Sequence, residues 1–168
     1  PDGNAPVNIY PKIAGQHADY IYKQLVEFKS GMTSGGKEGR MDPVMSAMAM
    51  PLSDQDMKDI AAYFSTLNMS EGTTPKDVVE AGAMLYKAGD AERGIPSCAS
   101  CHGPRGNGSS LAKFPKVSFQ HPGYIKSQLE KFRDGSRNND LNGMMQDIAK
   151  KLTDKDIEVL SKYLGGLH

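Results

Sequence analysis

The chain contains an internal repeat, and this feature constrains the fold more than any other in the sequence. Residues 10–13 (Tyr-Pro-Lys-Ile) recur as residues 114–117 (Phe-Pro-Lys-Val), and residues 52–54 (Leu-Ser-Asp) recur as residues 152–154 (Leu-Thr-Asp). Matches at near-constant spacing along the whole length indicate two homologous units rather than one large core. We therefore predict two tandem domains of related structure.

Helical patterns occupy matching positions in the two repeats. Ser53 and Thr153 are N-cap residue types, and the aspartate three positions after each of them suits the helix dipole. Each repeat also has a middle helix, for which Gly31 and Gly135 mark the predicted ends. A further helix is predicted over residues 74–86, where a Thr-Pro pair opens the segment. No alternating segment of strand length competes, so the predicted fold class is all-α.

The boundary between the domains is predicted in residues 68–74, a polar stretch with one glycine. This boundary places the first domain at residues 1–69 and the second at residues 70–168. Basic and acidic side chains number 20 each, which argues against a nucleic-acid-binding protein, because such proteins concentrate positive charge to neutralise phosphates. No stretch approaches the roughly 20 apolar residues that a transmembrane helix needs.

Both cysteines of the chain lie in one C-x-x-C-H sequence, the pattern of covalent c-type haem attachment. On a short helical turn, the thiols of Cys98 and Cys101 reach the two vinyl groups of one porphyrin, while His102 presents its imidazole to the iron. A thioredoxin-like dithiol is expected in a βαβ setting, structural zinc needs two more ligands nearby, and a disulfide does not need the histidine. Haem attachment is therefore favoured. Because it is completed outside the cytoplasm, we expect a periplasmic protein.

A downstream methionine is the expected second axial ligand, because a His/Met iron has a raised potential and no open position. Met144 and Met145 both lie in a polar, glycine-containing loop before the last helix. The repeat pairs Met145 with Met45, whereas Met144 is paired with Val44. We predict Met145 as the ligand, with Met144 as the fallback, and Met45 for the same role in the first half. The other methionines are interpreted as packing residues: Met32, Met41, Met48, Met50, Met57, Met69 and Met84.

The first repeat has no C-x-x-C-H sequence within the chain. Running the repeat alignment backwards pairs residues 1–4 with residues 104–107, which places the expected motif just before Pro1. Either the first half has lost its motif, or the native protein carries it upstream. The second explanation is favoured, because a genuine loss does not require the preceding helix to be missing as well. We expect haem c at one covalent site in this sequence and at a second site if the native chain extends before Pro1.

With the haem motif, the methionine loop and the repeat in hand, the sequence resembles the di-haem cytochrome c4 family, in which each half is similar to a class I cytochrome c. The resemblance covers nearly the whole chain and is specific at residues 10–17 (Tyr-Pro-Lys-Ile-Ala-Gly-Gln-His). It implies that the Pro115 carbonyl accepts a hydrogen bond from the outer ring nitrogen of His102, and that Pro11 has the same role in the first half. The alternative is that both prolines only stiffen a turn.

Several residues near these motifs have weaker indications. His17 and His121 occupy matching positions at the start of a helix, and we interpret both as structural or surface residues. Lys113 and Lys116 are candidates for the rim of a docking surface, although solvated surface is the default interpretation for lysines.

The resemblance implies a carrier of single electrons that is not an enzyme. The expected donor is a quinol-oxidising complex and the expected acceptor a terminal oxidase, with membrane association through these partners or through a missing N-terminal segment left open. The chief rival is a haem enzyme or subunit, such as a di-haem peroxidase or a sulfur-compound dehydrogenase, in which one iron keeps an open position. A small-ligand sensor is a third class. Met45 and Met145 argue against the enzyme, and carbon monoxide binding separates both rivals from a carrier.

Overall fold

The computed structural model of the protein describes residues 2–168, so Pro1, the counterpart of Pro104 in the repeat alignment, lies outside the described residues. The predicted all-α fold is confirmed, since only two isolated β-bridges interrupt the helices and loops of this range. None of the helices in residues 2–168 has the length and apolar character needed to cross a membrane. The α-helices are α1 (Ala18–Thr33), α2 (Pro43–Ala49), α3 (Asp54–Ser65), α4 (Val79–Ala88), α5 (Ala99–His102), α6 (Pro122–Asp134), α7 (Met144–Ala149) and α8 (Asp154–Leu164).

Each half of the chain encloses its own apolar core. In the first half, α1 packs on α2 and α3 around buried Ile21, Leu25 and Met57. In the second half, α8 packs on α4 and α6, and its buried side chains include Ile157 and Leu160. The two tandem domains predicted from the repeat are therefore present, while their boundary between residues 69 and 70 stays a prediction.

The predicted N-caps of the last helix in each half are confirmed, and both form complete capping boxes. The Ser53 hydroxyl accepts from the Asp56 amide at 3.1 Å, and the Asp56 carboxylate accepts from the Ser53 amide at 2.8 Å. Thr153 and Asp156 repeat these two bonds at 3.1 and 2.8 Å. Each box satisfies two of the amides that a helix start leaves unpaired, so α3 and α8 begin at equivalent positions.

The two glycines predicted to end the middle helices behave differently. Gly135 ends α6 in the left-handed conformation, with φ of 82°, as predicted. Gly31 does not end α1, which continues to Thr33, so this prediction was wrong. Gly31 serves packing instead: a Cβ atom there would lie 2.4 Å from the carbonyl oxygen of Arg40. The missing side chain lets the Arg40 segment lie directly against α1.

The contact between α4 and α8 depends on a second close-packed glycine. A Cβ atom on Gly82 would lie 2.5 Å from Cβ of Tyr163. Tyr163 is only 7% exposed. The repeat counterpart of Tyr163 in α3 is Tyr63, and this side chain is 53% exposed. The face of α3 that carries Tyr63 is therefore open, whereas the same face of α8 is covered.

The two halves are joined by two equivalent pairs of hydrogen bonds. The Gln16 side-chain amide donates to the Lys116 carbonyl at 2.9 Å and accepts from the Lys116 amide at 2.8 Å. Gln120 does the same with the backbone of Lys12, at 2.8 Å for both bonds. Because Gln120 is the repeat counterpart of Gln16, each half holds the other through the same residue.

The histidines beside these glutamines also cross between the halves. Nε2 of His17 lies 2.7 Å from the Asn107 carbonyl oxygen, and Nε2 of His121 lies 2.7 Å from the Ala5 carbonyl oxygen. A carbonyl only accepts, so both nitrogens carry a hydrogen. Each histidine thus ties its own half to the other, in agreement with a structural role.

Replacing Gln16 or Gln120 with alanine is expected to lower the free energy of unfolding by about 1–3 kcal/mol, because each change leaves a backbone amide and carbonyl unpaired in the interface. Urea unfolding followed by circular dichroism measures this change. Gln55→Ala is the matched control, since the exposed Gln55 side chain donates only to Asp59, and less than about 0.5 kcal/mol is expected. Equal losses for Gln16→Ala and Gln55→Ala would contradict the interface role.

Candidate haem site

The C-x-x-C-H sequence forms a single short helical turn. The His102 amide donates to the Cys98 carbonyl at 2.9 Å, which closes the turn that contains α5. Both cysteines are free thiols, with Cys98 half-buried and Cys101 exposed. Burial raises the pKa of the Cys98 thiol to about 11, so this group is a neutral thiol at neutral pH. Two thiols and an imidazole are thus carried by one turn, as covalent haem attachment requires.

The imidazole of His102 is held in one orientation. Its Nδ1 atom lies 3.0 Å from the carbonyl oxygen of Pro115, the hydrogen bond that the family resemblance implied. A carbonyl only accepts, so Nδ1 carries the hydrogen and Nε2 keeps a lone pair. Burial lowers the pKa of His102, and the bond to Pro115 offsets only part of this shift, so the ring is neutral at neutral pH. Nε2 makes no hydrogen bond within residues 2–168, and the donor set therefore fits a haem iron.

Close backbone packing holds the loop between the haem motif and Pro115. The Gly108 amide donates to the His102 carbonyl at 2.7 Å, and a Cβ atom on Gly108 would lie 2.3 Å from the Phe114 carbonyl oxygen. The hydroxyl of Tyr86, a fully buried side chain of α4, donates to the Gly103 carbonyl at 2.6 Å. Sequence periodicity placed Tyr86 only on an apolar helix face, and nothing in its spacing predicted this bond. Tyr86 ties the second domain's core to the residue after His102.

Met145 lies at the start of α7, after a loop of fixed conformation. Asn142 has φ of 54°, and the Asp140 carboxylate accepts from the amide and the side chain of Gln146 at 3.0 and 2.8 Å. Met144 and Met145 are both half-buried, so burial does not distinguish them. The choice of Met145 as ligand stays a prediction.

Met45 lies in α2 at the position that corresponds to Met145 in α7. Its side chain is 37% exposed, and its amide donates to the Asp42 carboxylate at 3.0 Å. Asp42 is the N-cap of α2, so the residue before this short helix sets the position of Met45. Its ligand role also stays a prediction.

The packing role predicted for the other methionines is confirmed only in part. Met57 and Met69 are buried, and Met32 is half-buried. The role was wrong for four methionines whose side chains are exposed among residues 2–168: Met41, Met48, Met50 and Met84.

The backbone around Pro11 repeats the arrangement around Pro115. The Ile13 amide donates to the Gly3 carbonyl at 2.8 Å. In the second half the Val117 amide donates to the Gly106 carbonyl, also at 2.8 Å. Within residues 2–168 the Pro11 carbonyl accepts no hydrogen bond. Its role toward a haem stays a prediction.

The two lysines considered for a docking rim have different environments. Lys113 is exposed at a position with φ of 56°. Lys116 is half-buried, and its ammonium group lies 5.9 Å from the centre of the Phe119 ring. Because the Lys116 backbone also bonds to Gln16, this residue has a structural role that the sequence did not indicate.

Comparison with known proteins bears on both halves of the chain. The family described as Cytochrome c matches residues 2–68 and 79–168. A cytochrome c4 from Thiocapsa roseopersicina is 46% identical, over 99% of this chain and 83% of that protein. A thiosulfate dehydrogenase electron acceptor from Stutzerimonas stutzeri (strain A1501) is 34% identical, over 94% of this chain and 71% of that protein. The crystal structure of reduced recombinant cytochrome c4 from Pseudomonas stutzeri has a TM-score of 0.95 and 44% identity, over 99% of this chain and 90% of that one.

Replacing Met145 with leucine in the haem-loaded protein is expected to remove the share of the weak near-infrared methionine-to-iron band that comes from the haem at Cys98 and Cys101, and to let that haem bind carbon monoxide when reduced, because one ligand of its iron is lost. Met144→Leu is the matched control and should keep the band. Optical spectra with and without carbon monoxide measure both effects. Loss of the band in Met144→Leu alone would move the ligand assignment to Met144.

Proposed function

The chain belongs to the di-haem cytochrome c4 family, and on this basis we propose that it is a periplasmic carrier of single electrons with His/Met-ligated haem c. It is a haem c electron-transfer protein and not an enzyme, like the cytochrome c4 proteins that it matches over 99% of its length. The orientation of His102 carries the proposal, because the Pro115 carbonyl holds Nδ1 at 3.0 Å and leaves the Nε2 lone pair for iron. A haem bound here supplies reversible one-electron oxidation and reduction.

In this proposal each residue of the site has a separate task. Cys98 and Cys101 would hold the porphyrin covalently, and His102 and Met145 would be the two protein ligands of the iron. The hydrogen bond from His102 to Pro115 prevents rotation of the ring and makes the imidazole a stronger donor. With both ligands supplied by the protein, the iron would offer no open position to a substrate, which would suit electron transfer rather than oxygen chemistry.

We also propose that a second haem c lies in the first half of a longer native chain, with Met45 and Pro11 in the roles of their counterparts. The matching backbone bonds around Pro11 support this proposal. So does the open face of α3, where Tyr63 is 53% exposed while Tyr163 is 7% exposed beneath α4. In this proposal, a helix equivalent to α4 in the longer native chain would cover Tyr63 and lead into a first C-x-x-C-H motif.

We propose a quinol-oxidising complex as the electron donor and a terminal oxidase as the acceptor. Thiosulfate dehydrogenase is a second candidate donor, because a relative with 34% identity is named as its electron acceptor. Apolar side chains beside the predicted methionine ligands, Val44 at 68% and Leu141 at 61% exposure, offer weakly charged contact surface to such partners. Small apolar contacts of this kind suit short-lived complexes.

The native full-length protein is expected to contain two low-spin haems per chain, and its reduced form should not bind carbon monoxide, because side chains fill every axial position. The pyridine haemochrome assay, intact mass and optical spectra measure these properties. One haem per chain would contradict the second site and leave the carrier function intact. A high-spin iron that binds carbon monoxide would contradict the carrier itself.

The donor is identified by rates of reduction. The oxidised protein is mixed in a stopped-flow instrument with a purified quinol-oxidising complex or with a purified thiosulfate dehydrogenase. The true donor should reduce the haem at least as fast as the donor enzyme turns over. Failure of both enzymes to reduce the protein at that rate would contradict both proposed routes.

A further inference from the structure

Two arginines, one from each half, are buried together at the interface. Arg40 is 9% exposed and Arg137 is 7% exposed. Arg40 donates to the side-chain oxygens of Gln24 and Gln128, both at 2.7 Å. Arg137 donates to the same two oxygens, at 3.2 Å for Gln24 and 2.9 Å for Gln128. Each guanidinium therefore reaches across to the opposite half, and the pair shares its acceptors.

The carboxylate that acts on this pair of charges, Glu27, attracts Arg137 without forming an ion pair with it. The ion pairs within residues 2–168 involve neither Arg40 nor Arg137, and the Glu27 carboxylate accepts from Asn139 instead. Arginine cannot lose its proton in a protein, so two positive charges remain buried side by side. Buried charges are normally paired with an opposite charge, because removal from water is unfavourable.

Aromatic rings and a further lysine complete the surroundings. The guanidinium carbons lie over the Phe28 and Phe132 rings, at 4.6 Å for Arg40 and 4.4 Å for Arg137. A cavity of about 110 Å³ between the arginines is also lined by Lys131 and by a single acidic residue, Asp42. The charge around this cavity is therefore net positive.

The half-buried side chain of Tyr124 lies in the electrostatic field of both arginines. The Tyr124 hydroxyl accepts from Arg40 at 3.5 Å, while Arg137 donates to the hydroxyl of Tyr20, the repeat counterpart of Tyr124, at 3.0 Å. Burial alone raises the pKa of Tyr124, but the two guanidiniums outweigh burial and hold this pKa below its usual value. The positive potential at the interface is thus a joint property of the two halves.

The arginine pair is linked to the predicted methionine loop. Nε of Arg137 donates to the Asn139 side chain at 3.0 Å, and the next residue, Asp140, holds the amide and side chain of Gln146 beside Met145. The position of the positive charges relative to the haem ligands is therefore set by a short run of hydrogen-bonded residues. Charge in such a buried place is weakly screened by salt.

We propose that Arg40 and Arg137 act as one positive unit that raises the reduction potential of the haem held by Cys98 and Cys101, so that a residue of the first half tunes the redox site of the second. A nearby positive charge favours the reduced iron, which carries one positive charge fewer. The proposal rests on the haem c carrier function, and it does not require a haem in the first half.

The test is a spectroelectrochemical titration of the haem-loaded protein, in which the potential of the haem at Cys98 and Cys101 is measured. Arg40→Gln and Arg137→Gln should each lower this potential by about 59 mV. At a fixed applied potential, this shift changes the ratio of reduced to oxidised haem roughly tenfold. Because the two arginines share their acceptors, the double variant should depart from the sum of the single changes.

Three control variants separate charge from other effects. Arg40→Lys keeps the charge and should restore most of the potential. Lys37→Gln removes an exposed charge from the same segment, and Gln120→Ala weakens the interface on the Lys12 side, away from Pro115, without changing charge, so both should leave the potential unchanged. If Arg137→Gln lowers the potential and Arg40→Gln does not, the joint unit is disproved. Equal shifts for Arg40→Gln and Gln120→Ala would assign the effect to a loosened interface and also overturn the proposal.

Gln128→Glu gives a second test that does not remove an arginine. It places a carboxylate between the two guanidiniums, keeps their contacts, and should lower the potential as Arg40→Gln does. An unchanged potential in this variant would overturn the proposal even if Arg40→Gln fails to fold. A wild-type protein without low-spin haem contradicts the carrier function instead, so the two failures are distinguishable.

Discussion

The hydrogen bonds between each half's glutamine and the other half's backbone are the constraint on which the site depends. Gln16 holds both the amide and the carbonyl of Lys116, and the residue before Lys116 is Pro115, whose carbonyl orients His102. The orientation of the candidate iron ligand in the second domain is thus fixed partly by the first domain. Domain packing and ligand geometry form one connected system, so the interface is part of the site.

The two halves are not identical where they make equivalent contacts. The Gly15 amide donates to the Phe64 carbonyl at 2.9 Å, and its counterpart Phe119 donates to the Leu164 carbonyl at 3.0 Å. Both residues are left-handed, with φ of 65° for Gly15 and 59° for Phe119. Glycine adopts this conformation without strain, whereas a bulky residue does so only where its surroundings hold it. The second domain makes the same bond with a bulky residue in the left-handed conformation, so the packing of this loop on the end of α8 holds the local backbone.

The parts of this fold that the sequence predicts are the local ones. The capping boxes at Ser53 and Thr153 and the turn that contains His102 need only residues a few positions apart, and all of them are present. The hydrogen bonds between Gln16 and the Lys116 backbone were not predicted, because Lys116 lies in the other domain and only the tertiary arrangement brings the two residues together. Gly31 was misassigned because a glycine that ends a helix and one that admits a neighbouring backbone look the same in sequence.

Charge counts had the same limitation. Equal numbers of acidic and basic residues argued against nucleic acid as a partner, yet they gave no sign that Arg40 and Arg137 are buried together. In the sequence, each of these two arginines is only a single positive charge within a polar segment. In the structure, the amide oxygens of Gln24 and Gln128 replace the water that both guanidiniums lose, so the charges are solvated by the opposite half. Separating the domains would remove one of these two acceptors from each arginine. The interface therefore stabilises the two buried charges, and the shared arrangement of arginines and glutamines forms only when both repeats are packed together.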